Sequence, residues 1–162
     1  MKGHLSHDYH LEVPAPVVWD TYRGLELGKV VNQMFQDVVG TIEVVQGDGG
    51  VGTILKITFP PGSLGLSYMK EIFIKADDEQ RVKESEVIEG GFKDVGFDVY
   101  RYRFQIIEKN GESSIIRSSV EYEIDDKLQE IASQATTKQM EALNEVVGKY
   151  LKQKWDSSNK KP

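Results

Sequence analysis

The chain of 162 residues carries a net charge of −6, with 39% hydrophobic and 28% charged residues, which is the make-up of one globular domain and not of a disordered segment. An acidic surface repels phosphate backbones, so nucleic acid is not expected as a partner, and the absence of cysteine excludes disulfides, thiolate zinc sites and a cysteine nucleophile. No apolar run is long enough to span a membrane and Met1 to Val13 lacks the apolar centre of a signal peptide, so the expected location is cytoplasmic, with no membrane partner.

Leu5, His7, Tyr9, Leu11 and Val13 alternate with polar residues, the period of a strand, which Pro14 and Pro16 end. Proline suits a first helical turn, so Val17 to Leu25 is read as a helix anchored by Trp19 and Tyr22. Leu27 to Phe35 is read as a second short helix, with Gly24 and Gly28 softening the joint between the two. Strand character returns over Asp37 to Gln46, and the glycine-rich segment Gly47 to Thr53 leads into a second strand at Ile54 to Phe59. Ser67 to Lys75 and Arg81 to Glu89 flank the turn residues Asp77-Asp78-Glu79. Asp98 to Ile107 places Tyr100, Tyr102, Phe104 and Ile106 on one face, Asn110-Gly111 is a hairpin signal, and Ser114 to Ile124 is the last strand. From Leu128 to Leu151 the period becomes helical, with Asp125 or Asp126 as N-cap and a polar middle of Ser133, Gln134, Thr136, Thr137 and Gln139.

This order, a strand, two short helices, six strands and one long helix, defines an α+β domain over residues 1–155, followed by a tail, 156–162, expected to be disordered. A curved seven-stranded antiparallel sheet needs a cover on its apolar face, and one helix cannot fill the concavity. A cavity is therefore expected between them, suited to a small apolar or aromatic molecule.

The glycine segment lacks the Lys-Ser/Thr pair and following helix of a phosphate loop, so it reads as a demanding hairpin turn. His4, His7 and His10 fall on both faces of a strand and cannot converge on a metal; no metal site is expected. The sharpest candidate is the pair Glu71 and Lys83. A hairpin register centred on Asp77 would place them directly opposite each other, with Phe73 opposite Arg81 and Met69 opposite Ser85. A one-residue slip would separate them, and the pair fits either a solvent-facing ion pair or an inward acid–base couple. If inward, burial lowers the lysine pKa, and the two groups can serve as acid and base on a carbonyl compound. Met69, Phe73, Tyr100, Tyr102 and Phe104 are the candidate lining, and the Tyr102 hydroxyl can reach the same chamber.

Gly47-Asp48-Gly49-Gly50-Val51-Gly52-Thr53, Ile88-Glu89-Gly90-Gly91-Phe92 and Ser118-Ser119-Val120-Glu121-Tyr122 resemble the birch-pollen-allergen superfamily, the plant pathogenesis-related class-ten proteins, over His4 to about Leu151. That resemblance implies the helix-grip fold. Val51 to Gly62 and Arg81-Val82-Lys83 are most similar to the norcoclaurine-synthase-like branch, whose members condense dopamine with an arylacetaldehyde. The resemblance implies that Lys83 handles the carbonyl and iminium steps and that Glu71 takes the final proton. The branch's active-site tyrosine falls on Met69 and its aspartate on Tyr102. The implied activity is a lyase or isomerase reaction of alkaloid metabolism on a small aromatic substrate, without a cofactor. The rival reading is a defence-related binder or carrier of a plant hormone or phenolic of the cytokinin kind. Tyr68, Ile72 and Ile74, if outward, form an apolar stripe, so the chain is expected as a monomer or weak homodimer.

Overall fold

The computed structural model describes residues 1–63 and 65–159. Strand β1 (Lys2–Leu11) is followed by α1 (Ala15–Tyr22), α2 (Glu26–Met34) and the single turn α3 (Gln36–Val39). The hairpin β2 (Thr41–Gln46) and β3 (Ile54–Thr58) leads to β4 (Tyr68–Asp77), β5 (Val82–Gly90), the one-turn α4 (Phe92–Val95), β6 (Phe97–Asn110) and β7 (Ser113–Ile124). The chain ends in a 3-10 turn at Asp126–Leu128, α5 (Gln129–Ala132) and α6 (Lys138–Ser158). All pairings are antiparallel, in the order β1-β7-β6-β5-β4-β3-β2. The expected α+β architecture of seven curved strands, short helices and a long C-terminal helix is therefore present.

Four local expectations are corrected. Asp37 to Val39 is a helical turn, and strand β2 starts only after Gly40, whose φ of +110° and close approach to the Thr58 carbonyl demand glycine. The Phe92–Val95 turn between Gly91 and Gly96 was not expected. The C-terminal helix is interrupted: Ser133 to Thr137 do not continue it, because hydroxyl side chains satisfy the backbone locally, Ser133 Oγ donating to the Glu130 carbonyl and Thr136 Oγ1 accepting from the Lys138 N–H. Asp125 caps the 3-10 turn and not the long helix, accepting from the Lys127 N–H at 2.9 Å, and α6 starts after Thr137 with no side-chain cap. Finally, α6 runs past Trp155 to Ser158, so the start of the expected tail is helical, while residues 160–162 lie outside the described residues.

Two apolar clusters fill the space between sheet and helices. One joins α1, the C-terminal half of α6 and the sheet through Val13, Trp19, Tyr22, Ile106, Ile116, Val147 and Leu151. The other centres on Phe92, Phe97 and Tyr100, with the Phe92 and Tyr100 rings stacked 4.4 Å apart and Phe97 edge-on to both. Residues of both clusters, Leu27, Val31 and Leu143 from the first and Ile57, Met69, Tyr102 and Met140 from the second, line one cavity. The cavity is thus the seam where the two cores fail to meet.

Candidate active site

The cavity has a volume of about 380 Å³, within the range of small-molecule sites. Its floor is the inner face of the sheet: Leu55 and Ile57 of β3, Met69 and Glu71 of β4, Lys83 and Ser85 of β5, Tyr102 and Phe104 of β6. Its rim is built from the α1–α2 joint at Gly24 and Leu25, the α2 face at Gly28 and Asn32, the loop at Phe59 to Ser63, and the start of α6. The glycine turn Gly47 to Thr53 supports this rim from behind. Gly49 has φ of +104° and an added Cβ there would lie 2.8 Å from the Gly24 Cα. The N–H groups of Gly49, Gly50, Gly52 and Thr53 are bonded to Thr53 Oγ1, Asp48 Oδ1, the Phe73 carbonyl and the Gly50 carbonyl. They are therefore committed to the turn and not to a phosphate.

Glu71 and Lys83 both reach the cavity, by a register different from the one expected. Glu71 pairs with Val87 and Lys83 with Ala76, while Phe73 pairs with Ser85. The turn closes at Asp77 and Val82, with Arg81 at φ of +53°, so the hairpin is offset from a register centred on Asp77. Between Phe73 and Lys75 the register shifts: Ile74 is an extra residue with no partner, a β-bulge, and is 39% exposed. Glu71 and Lys83 therefore lie on either side of the Phe73–Ser85 row. Among the described residues, no cation lies within 4 Å of Glu71, so the pair is not closed into a salt bridge.

Each group is held by its surroundings. Lys83 is 7% exposed; its Nζ donates to the Tyr22 carbonyl at 2.6 Å and lies 4.9 Å from the centre of the Phe73 ring. Tyr22 ends α1, and a carbonyl of the last helical turn lacks an intrahelical donor and sits at the negative end of the helix dipole, so it is a ready acceptor for an ammonium. Burial lowers the Lys83 pKa to about 8, and the Glu71 charge opposes that fall. Burial raises the Glu71 pKa, opposed by Lys83 and by the Ser85 hydroxyl. Both groups are thus moved toward neutrality, which is where acid–base work is done. The Tyr102 hydroxyl contacts the Met69 Sδ at 3.6 Å, and its pKa is pushed well up by burial, so it stays a proton donor.

Of the expected lining, Met69, Tyr102 and Phe104 lie on the cavity. Phe73 and Tyr100 do not line it. Phe73 is packed under the Lys83 ammonium, and Tyr100 is 0% exposed, fixed by its stack on Phe92 and by its hydroxyl, which donates to the Thr136 carbonyl at 3.3 Å. The polar residues Ser133 to Thr137 form the break before α6, and Gln139 alone of that polar stretch reaches the cavity. Ser85 and Asn32 escaped the sequence reading. Ser85 was signalled by sharing the parity of Lys83. Asn32 had no signal: its amide pairs with the Ile42 N–H at 2.8 Å and C=O at 2.7 Å, mimicking a further strand along the edge of β2. No group of three or more His, Asp or Glu arranged for a metal occurs among the described residues, and no helix among them is long and apolar enough to cross a membrane.

Sheet, helices and chamber together define a fold that encloses a cavity of small-molecule size between a curved sheet and a C-terminal helix. Residues 1–154 match the pathogenesis-related protein Bet v 1 family, and the chain belongs to it. It is 42% identical to norbelladine synthase of Narcissus pseudonarcissus over 95% of this chain and 94% of that one. It is 37% identical to S-norcoclaurine synthase 2 of Papaver somniferum over 90% of this chain and 64% of that longer relative. The structure of Thalictrum flavum norcoclaurine synthase in complex with dopamine and hydroxybenzaldehyde superposes with a TM-score of 0.81 at 28% identity, covering 100% of this chain and 90% of that one. A ginseng major latex-like protein, at 14% identity and a TM-score of 0.77, shares the fold.

Proposed function

We propose that the chain condenses an aromatic amine with an aromatic aldehyde in this cavity, Lys83 acting as acid and Glu71 as base. The observation that carries this reading is the placement of both groups on one apolar chamber without a mutual salt bridge, which leaves room for a reacting atom between them. The amine nitrogen adds to the aldehyde carbon while the Lys83 ammonium gives a proton to the oxygen. Glu71 accepts the proton shed by nitrogen and returns it to the carbinolamine hydroxyl, which leaves as water to give the iminium and restores the Glu71 carboxylate. Where the aldehyde and arylethylamine allow ring closure, attack of the arene on the iminium carbon is followed by transfer of the ring proton to Glu71. Tyr102 occupies the side of the cavity next to Met69 and offers its hydroxyl to a substrate phenol or carbonyl. The similarity to amine-condensing synthases supports the substrate class.

The test is dopamine with 4-hydroxyphenylacetaldehyde or a hydroxybenzaldehyde, with product followed by mass spectrometry and imines trapped by cyanoborohydride. Rates above the uncatalysed background that fall by at least about 100-fold in Lys83→Met and Glu71→Gln are expected. Background rates in the wild type, or full activity in Lys83→Met, would refute it. A second reading, binding of a phenolic or hormone without turnover, draws on the presence of Met69 and Tyr102 where the synthase-like branch has tyrosine and aspartate. It predicts thermal stabilisation by such ligands with no product formed.

A further inference from the structure

The Lys83 ammonium has one hydrogen-bond acceptor among the described residues, the Tyr22 carbonyl. Whatever fixes the last turn of α1 therefore fixes Nζ. Two ties hold that turn. On the outside, Arg23 forms a two-pronged pair with Asp78, and Trp19 Nε1 donates to the same carboxylate at 2.9 Å. The Arg23 and Asp78 side chains are 53% and 65% exposed, so water competes for both ends. On the inside, the Tyr22 hydroxyl donates to Asn144 Oδ1 at 2.8 Å, and Asn144 Nδ2 donates to Ser118 Oγ at 2.8 Å. Tyr22, Asn144 and Ser118 are all 0% exposed. This relay joins α1, α6 and β7, and no water reaches it. Ser118 sits opposite Phe104, and Phe104 opposite Lys83, so the relay ends on the same row of the sheet that carries the lysine.

Packing does not ask for an asparagine at this place. Its neighbours along the buried face of α6 are Met140, Leu143, Val147 and Leu151, and a buried amide is unfavourable unless its polar atoms are bonded. What the amide does is to tie the Tyr22 hydroxyl to the Ser118 hydroxyl of β7. We propose that Asn144 and Tyr22 are positioning residues for Lys83: the Ser118–Asn144–Tyr22 relay fixes the α1 carbonyl on which the ammonium rests, and so aims Nζ into the cavity. Its catalytic consequence rests on the reading of Lys83 as the acid; the geometric role does not. Tyr22 contributes through its backbone oxygen as well as its hydroxyl, and its ring, edge-on to Phe104 at 5.3 Å, fills space that the relay then locks.

The test reads the lysine itself. Wild-type protein is treated briefly with formaldehyde and cyanoborohydride across a pH series, and methylation of Lys83 is quantified by peptide mass spectrometry. The charged group acting on it is Glu71 of β4, and its acceptor is the Tyr22 carbonyl of α1; wild-type reactivity is expected to reach half its maximum near pH 8. In Tyr22→Phe and Asn144→Leu the carbonyl is released, the ammonium loses its acceptor in a dry site, and the midpoint falls by about half a pH unit or more. A folded variant with loss of stability but an unmoved midpoint would overturn the proposal. Should Asn144→Leu fail to fold, Tyr22→Phe, which keeps the ring, carries the test. A lowered midpoint in a protein without condensation activity would leave the positioning role standing and sink the proposed reaction. Wild-type condensation with an unmoved midpoint would do the reverse.

Discussion

Replacing Lys83 by methionine should make the protein more stable while removing its chemistry. Methionine is close to the lysine stem in volume and carries no charge. The ammonium is held in a site that lowers its pKa from the ordinary 10.5 to about 8. At about 1.4 kcal/mol for each pH unit, keeping it charged at neutral pH costs roughly 3 kcal/mol of folding free energy. That figure already includes the attraction to Glu71, so methionine gives up in addition only the hydrogen bond to the Tyr22 carbonyl, about 1 kcal/mol, which leaves a net gain on the order of 2 kcal/mol. For a chain of this size that is a rise in Tm of roughly 4–8 °C. The sign can be checked against pH. Below pH 8 folded and unfolded chains both carry the proton and the full cost is present. Between about 8 and 10.5 the folded protein has released the proton that the unfolded chain still binds, so wild-type stability rises toward that of the variant. Urea unfolding followed by the fluorescence of Trp19 and Trp155 at several pH values between 6.5 and 10 measures the gap. A Lys83→Met protein less stable than wild type at pH 7, or a gap that does not narrow with rising pH, would refute the reasoning.

Glu71→Gln should lower turnover by about 100-fold or more, and, because burial raises the Glu71 pKa, its stability advantage over wild type should open as pH climbs above the ordinary carboxylate value of 4.5. Chemical denaturation at pH 4 and pH 7 shows whether it does. Asn32→Ala frees the Ile42 N–H and C=O and should cost about 1–2 kcal/mol, seen as a lower Tm. The two glycines of the β2–β3 turn should differ: Gly49→Ala meets the Gly24 backbone at 2.8 Å and should be destabilising by about 2 kcal/mol or more, whereas Gly52→Ala, with open space around it, bears only the strain of its φ of +93°, about 1 kcal/mol. Equal losses in the two would refute the close contact at the α1–α2 joint.

The elements with a strong period were readable from the residues. The alternation of Tyr100, Tyr102 and Ile106 and the Asn110-Gly111 turn gave β6 and β7, and two prolines marked the entry to α1. Tertiary contacts decided what period could not. Val38 and Val39 have strand propensity, but they fall in a helical turn because Gly40 must pass beside the Thr58 carbonyl. Apolar spacing continues through Ala132 and Ala135, yet local hydroxyl bonds break the helix there. Within the site, Met69, Glu71, Lys83, Tyr102 and Phe104 were legible because inward residues on one strand share parity. Tyr100 obeys the same parity and still misses the cavity, because Phe92, from a turn with no sequence period, covers it. The Tyr22 carbonyl was invisible in principle, since every residue has one and only its place at the end of α1 makes it a ligand for Lys83.

The bulge at Ile74 links fold to site. Nearest the turn the pairs are Asp77–Val82, Ala76–Lys83 and Lys75–Glu84; beyond the bulge they are Phe73–Ser85, Ile72–Glu86 and Glu71–Val87. Carried on without the bulge, the first register would set Lys83 and Ser85 opposite even-numbered residues of β4. The inward residues of β4 would then be Ile72 and Ile74, and Glu71 would face solvent. One extra residue reverses the parity, so that Glu71 and Phe73 turn inward with Lys83 and Ser85 while Ile74 is left partly exposed. The expected apolar stripe of Tyr68, Ile72 and Ile74 is outward for the same reason. A strand whose outer face is at least as apolar as its inner one would by burial alone prefer to flip, which would bury Ile72 and Ile74 and release the Glu71 carboxylate to water. That it does not flip means that the bulge, pinned by the β3 pairing of Leu55 with Glu71 and Ile57 with Met69, outweighs the local hydrophobic preference. The acid–base pair is therefore placed by sheet register against side-chain polarity, which is the kind of local conflict a functional site leaves in a sequence.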